Sequence, residues 1–190
     1  YTAIWRGSLL AALSILEGKK MQKKLLDLLV VLPQAKVMGS LDKVITDVTF
    51  DSRKVQEGSL FICLKGAHVD GHKYIEQAYK DGAACVLVED EIKNRPEGLT
   101  VIKVNDTRDA MGYVAPWFFA SPGTKMRMIG VTDTNGKTTT TNLIRLILRK
   151  AGFKVGLIGT INIMIEDEIE VSHNTTPDVV DLERSLYKMQ

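Results

Sequence analysis

The sequence predicts an α/β protein, and three observations carry that reading. Short apolar runs (VITDVTF, LFICL, CVLV and VIKV) recur between segments of helical periodicity. Runs of this kind suit strands buried on both faces, and their alternation with helices implies βαβ units and a mainly parallel sheet. Second, a Gly-Lys-Thr turn stands between a further apolar run, MRMIGV, and an amphipathic segment. Third, 190 residues with 45% hydrophobic content and a net charge of +2 have the composition of a globular chain, not a disordered one.

The elements follow in order. Leu25, Leu26, Leu28 and Leu29 predict a short helix that ends before Pro33. Val44 to Phe50 is a strand rich in β-branched residues, broken by Asp51-Ser52-Arg53. Leu60 to Leu64 is the next strand. Tyr74, Ile75, Ala78 and Tyr79 mark one face of a helix over residues 72–81, with Gly82 as its C-cap. Cys85 to Val88 and Val101 to Val104 are two further strands. Residues 107–120 read as a helix with a kink at Pro116, and Ser121-Pro122-Gly123 as a linker. Met126 to Val131 reads as a strand, followed by a helix with Leu143, Ile144, Ile147 and Leu148 on one face and Gly152 at its end. Val155 to Ile158 is a strand, residues 161–172 a hairpin across an acidic turn. Thr176 and Pro177 fit the N-cap and N1 positions of a last helix that carries Val179, Leu182 and Leu186.

Composition excludes several classes. Near-zero charge leaves no electrostatic footprint for nucleic acid or an anionic membrane surface. Two cysteines make no disulfide framework, and no four-ligand zinc site without help from His. Cys63 and Cys85 fall within apolar strand runs and read as buried thiols of a reducing compartment. No 18-residue apolar stretch is present, so no membrane span is expected.

Residues 1–20 differ in character from the rest of the chain. A signal peptide, an added amphipathic helix and translation from upstream of a true start at Met21 all compete, and the last is favoured. Glu17-Gly18-Lys19-Lys20-Met21 can be encoded by a purine-rich stretch that looks like a ribosome-binding site. Arg6, Lys19 and Lys20 against Glu17 account for the whole net charge.

The strongest chemical signal is Thr132-Asp133-Thr134-Asn135-Gly136-Lys137-Thr138-Thr139. Between a strand and a helix start, the backbone N–H groups of such a loop make a concave site for phosphates. Lys137 is placed to reach the β- and γ-phosphates, and the Thr138 hydroxyl to complete a Mg²⁺ shell. Val131 stands where the general pattern has Gly. The second half of the chain therefore reads as a nucleotide-binding unit of P-loop type. It has few strands, so its apolar surface is expected to stay partly uncovered.

TDTNGKTTTT resembles the short phosphate loop of the Mur ligases. FDSRKVQEGSLFICLKGAHVDGHKYIEQAYKDGAACVLVE resembles the N-terminal domain of the E-type enzymes, and NTTPDVVDLE their substrate loop. The resemblance covers residues 21–190. It implies residues 1–20 as an extension, a UDP-substrate-binding domain over 21–106, and the first part of the central ATP-binding domain over 107–190. It further implies an ATP-dependent amide ligase of cytoplasmic peptidoglycan synthesis, acting as a monomer without nucleic acid or membrane insertion. ATP and Mg²⁺ are the implied cofactors. The implied reaction joins meso-diaminopimelate or L-lysine to UDP-N-acetylmuramoyl-L-alanyl-D-glutamate through an acyl phosphate.

By motif, Phe50, Ser52, Ala67, His68 and Val69 are implied substrate contacts along the nucleotide, and Asn174, Thr175 and Thr176 hold the muramoyl-peptide. Asp133, Thr134, Asn135, Gly136, Lys137, Thr138 and Thr139 wrap the ATP phosphates, with Lys137 catalytic and Thr138 on the metal. His72 is open between loop residue and ligand. Asp133 departs from the family's Gly, and its charge beside a triphosphate implies weakened ATP affinity. The chain as given lacks the later parts of the family's pattern, so it is not expected to complete the ligation. Another Mur-type ligase, or a nucleotide-sugar binding module without ligase activity, are the alternatives.

Overall fold

The computed structural model describes residues 21–66, 69–92, 95–159, 162–166, 168–171 and 177–190. Its centre is a five-stranded sheet in the order β2-β7-β6-β5-β4: β2 (Lys36–Met38), β4 (Asp47–Thr49), β5 (Ser59–Ile62), β6 (Cys85–Val88) and β7 (Thr100–Lys103). The β4, β5, β6 and β7 strands run parallel, and β2 joins the edge antiparallel to β7. All residues of β5 and β6 are buried, as their unbroken apolar runs require.

The VITDVTF segment is two short strands instead of one. Val44–Ile45 (β3) pairs antiparallel with β1 (Lys23–Lys24), while β4 joins the main sheet. Thr46 marks the break: its N–H donates to the Gly58 carbonyl and its hydroxyl to that of Glu57. Phe50 falls beyond the strand. Strand β2 carries no apolar run, because an edge strand with two exposed Lys and Met residues has little to bury.

Helices cover the sheet. One face receives α1 (Leu25–Leu28) and α3 (Thr107–Phe119). The other receives α2 (Ile75–Lys80), which follows a 3₁₀ turn at Gly71–Tyr74. Within α3, Ala110, Met111, Val114, Ala115, Phe118 and Phe119 share a core with Leu25, Ile45, Val48, Leu60, Ile62 and Leu87. The helix runs through Pro116, opened by Asp106, whose carboxylate accepts the Arg108 and Asp109 N–H groups at 2.8 and 2.9 Å. It stops at Ala120, in the left-handed region at φ 59°.

Beyond Pro122 the structure loosens. Residues 126–131 form no strand, which corrects the reading of MRMIGV: no described strand lies alongside to complete its hydrogen-bond ladder, and Met128 and Ile129 are exposed. Helix α4 (Lys137–Lys150) forms as its periodicity directs but buries none of its residues. Strands β8 (Gly156–Ile158), β9 (Asn162–Ile165) and β10 (Glu168–Val171) make a separate antiparallel sheet. The hairpin between β9 and β10 turns at Glu166, with φ 51°. Helix α5 (Val179–Met189) starts after Asp178, not after Thr176. Asp178 is extended, and its carbonyl accepts the Leu182 N–H.

Candidate functional site

Four parallel strands aim their carboxyl ends at one edge, and in open α/β sheets ligands bind outside that edge. The turns that emerge there hold three of the sequence-derived substrate positions. Phe50 and Ser52 follow β4, and Val69 follows β5. Phe50 is half-buried against the main core. Ser52 opens a 3₁₀ turn whose shape is set by Asp51. The Asp51 carboxylate accepts from the Arg53 N–H, Nε and Nη2 at 3.1, 2.9 and 2.8 Å. These bonds, the side-chain pair with Arg53 above all, hold the Asp51 carboxyl below its ordinary range. Arg53 is thereby committed to the turn, while Ser52 stays half-buried at the rim. Val69 is exposed, and its carbonyl accepts the Gly66 N–H. Ala67, His68, Asn174, Thr175 and Thr176 lie outside the described residues.

A network that the motif reading passed over braces this rim. Lys65 pairs with Asp90 at 2.8 Å and Glu89 at 3.1 Å, and both carboxylates push its pKa up. Glu89 accepts the Thr107 N–H and hydroxyl at 3.0 and 2.9 Å, joining the end of β6 to the start of α3. The Thr107 N–H is the main cause of its lowered pKa. His72 Nδ1 lies 2.7 Å from Asp70, and Nε2 faces the N–H groups of Glu89 and Asp90. Backbone N–H groups can only donate, so Nε2 accepts and the proton sits on Nδ1, facing Asp70. Asp70, His72 and Asp90 come close enough to suggest a cation site. Both ring nitrogens are already engaged, however, so His72 ties Asp70 to the turn after β6. Sequence gives little signal for this, because the partners come from three separate strand ends.

Both thiols are buried and free, as their apolar runs imply. Burial pushes Cys85 up to about 12 and Cys63 higher still, so neither serves as a nucleophile.

The phosphate-loop residues stand together at the start of α4. Gly136 takes φ 81°, a conformation that glycine adopts freely, and a Cβ there would meet nothing within 4 Å. It offers no side-chain cap, so the first turn of α4 presents its N–H groups without a side-chain acceptor. Lys137 Nζ curls back to donate to the carbonyls of Asp133 and Thr134. Asp133 Oδ1 accepts the Thr134 N–H at 2.6 Å. An uncapped helix start, a positive-φ glycine and a lysine over the loop fit a polyphosphate chemically. The Asp133 carboxylate already engages one of the loop's N–H donors. Thr141 and Asn142 fasten the next turn through the carbonyls of Lys137 and Thr138.

Comparison with known proteins decides the family. The catalytic domain of the Mur ligase family matches residues 44–116, and the Mur ligase middle domain matches residues 131–190. The chain belongs to the Mur ligase family. It is 46% identical over 160 residues to the UDP-N-acetylmuramoyl-L-alanyl-D-glutamate–2,6-diaminopimelate ligase of Clostridioides difficile strain 630, covering 84% of this chain and 33% of that one. To the enzyme of the same name from Cytophaga hutchinsonii it is 40% identical over 165 residues, 86% of this chain and 34% of that one. Among solved structures, a ligase of that name aligns with a TM-score of 0.64 at 25% identity, over 85% of this chain and 33% of the other. MurF from Acinetobacter baumannii shares the fold at a TM-score of 0.61 and 20% identity, over 89% of this chain and 33% of the other. The chain spans about a third of the length of the curated relatives it matches. Among the described residues, no helix is long and apolar enough to cross a membrane.

Proposed function

We propose that this Mur ligase chain binds the nucleotide-linked substrate and ATP for an amide ligase of peptidoglycan synthesis. The reaction adds a diamino acid to the D-Glu carboxylate of UDP-N-acetylmuramoyl-L-alanyl-D-glutamate. Diaminopimelate is preferred over lysine as that diamino acid, on the strength of the relatives' names. The single observation that carries the reading is spatial: the Ser52 turn and Val69 follow adjacent parallel strands at one carboxyl edge, and a phosphate-type loop opens α4 further along the same chain.

In this reading residues 21–106 hold the UDP part, and 107–190 begin the ATP-binding unit. Ser52 and Phe50 contact the nucleotide at the rim, with Ala67, His68 and Val69 along it. Asn174, Thr175 and Thr176 hold the muramoyl-peptide. ATP, when bound with Mg²⁺, supplies the phosphoryl group that activates the carboxylate. Lys137 would pair with the phosphates, Thr138 would offer its hydroxyl to the metal, and the N–H groups of residues 133–139 would face the remaining charge. The enzyme works as a monomer in the cytoplasm, where Cys63 and Cys85 stay reduced.

Calorimetric titration of the chain with UDP-muramoyl-dipeptide and, separately, with Mg·ATP tests the reading. Binding of both supports it, and binding of neither overturns it. The uncovered face of α4 favours a second reading, a nucleotide-sugar binding module whose ATP half is inactive. Binding of the UDP ligand without ATP would establish that one.

A further inference from the structure

Helix α5 follows the phosphate loop in sequence, yet it packs along α3 and reaches edge strand β4 of the central sheet. Val180 is 1% exposed and joins the main core, and Leu186 is buried near Gly123, just beyond α3. At the start of the helix, Asp178 lies 3.6 Å from Arg108, in the first turn of α3. Near its end, Tyr187 meets Phe119, in the last turn of α3, at 6.1 Å between ring centroids. Starts meet and ends meet, so α5 runs alongside α3 in the same direction. Because α3 begins directly after β7, Pro177 and Asp178 arrive at the carboxyl edge of the sheet, where Ser52 and Val69 emerge.

Arg184 fastens the arrangement. Its Nη1 donates to Asp47 at 2.9 Å and its Nη2 to the Val48 carbonyl at 2.8 Å, both on edge strand β4. The guanidinium also lies 5.4 Å from the centre of the Phe119 ring. A planar fork that bonds two acceptors and stacks on an aromatic ring is a task for Arg that Lys performs in part.

We propose that α5 is a latch between the two units, closed by Arg184, and that it fixes Pro177 and Asp178 at the nucleotide edge so that the muramoyl-peptide end of the substrate is recognised in register with the UDP end. This rests on the functional reading above. Arg184 touches no substrate. It is a positioning residue, and its effect falls on one end of the ligand.

The test uses the 190-residue chain with R184M, R184K and D47N. Hydrogen exchange reads the latch, and titration with UDP and with UDP-muramoyl-dipeptide reads the coupling. In R184M, exchange of the α5 amides rises by about tenfold while β5 and β6 keep their protection. Affinity for the dipeptide ligand falls about tenfold and affinity for UDP alone stays within about twofold. R184K, which keeps one donor, and D47N, which keeps both acceptors but loses the charge on one, fall between R184M and the unaltered chain. Should R184M lose protection throughout, those two variants carry the same comparison. Equal loss for both ligands, or loss for neither, overturns the latch while the functional reading stands. An unaltered chain that binds neither ligand overturns both.

Discussion

The central sheet and helix α4 both carry apolar residues in a regular pattern, but they meet different fates. Strands β5 and β6 bury all of their residues, with helices on both faces. Helix α4 leaves Leu143, Leu146 and Ile147 more than half exposed. It is held instead by polar contacts, such as Arg145 Nη2 to the Glu166 carbonyl at 2.6 Å. A helical apolar stripe declares which face seeks cover, and a second layer has to supply the cover. In the sheet, cohesion comes from burial. Around the phosphate loop it comes from local hydrogen bonds and helix propensity, which are individually worth little in water.

The widest separation between the two regions should be in the cost of truncation. Phe118 is 1% exposed and packs edge-on against Phe119 at 5.1 Å. Phe118→Ala should cost about 3–5 kcal/mol. Ile147, at 67% exposure, should cost less than about 0.5 kcal/mol when changed to Ala. Urea midpoints of the two variants check the contrast. Similar losses would mean that α4 is packed in solution after all.

That contrast also divides what could be read from sequence. Fully buried strands, the hairpin at Glu166 and the loop before Lys137 announce themselves, because local pattern and final environment agree. Strand β2 does not, since Lys36-Val37-Met38 at a sheet edge has no core to face. The split at Thr46 depends on carbonyls of Glu57 and Gly58 from another turn. MRMIGV reads as a strand in any local scheme, and only the neighbours decide whether its backbone is paired. Of the site, the phosphate loop and the Ser52 turn were legible. The Lys65–Glu89–Thr107 brace and the Arg184–Asp47 pair were not, because their members are far apart in sequence and charged residues carry no periodic signal.

A second contrast concerns Asp133, in the weakly packed region. Its carboxylate takes the Thr134 N–H that a phosphate oxygen would use, and it adds negative charge at the same place. Asp133→Gly removes both effects. Mg·ATP should bind about tenfold more tightly, about 1.4 kcal/mol, with little change in affinity for the UDP ligand. Calorimetry on both ligands separates the outcomes. Unchanged ATP affinity would mean that Asp133 turns away when nucleotide arrives.

The smallest expected effect lies at the rim of the well-packed region and is visible in its pH dependence. Glu89 accepts two hydrogen bonds from Thr107 and pairs with Lys65. Its pKa in the folded state lies below the ordinary 4.5. A lowered carboxylate pKa means that the folded state favours the charged form. The stabilisation is therefore complete above about pH 4.5 and is lost as pH falls through the lower folded value. Glu89→Gln keeps an oxygen for the Thr107 N–H but loses the charge, so it should cost about 1 kcal/mol at pH 7. The deficit should shrink in acid, because the unaltered chain gives up the same interaction there. Asp51 and Asp70 are also lowered and are untouched by the change, so the variant's stability still declines in acid, less steeply than the unaltered chain's. Urea midpoints between about pH 3 and pH 7 measure the difference. If the two curves ran parallel, Glu89 would be bracing the rim by shape alone, without its charge.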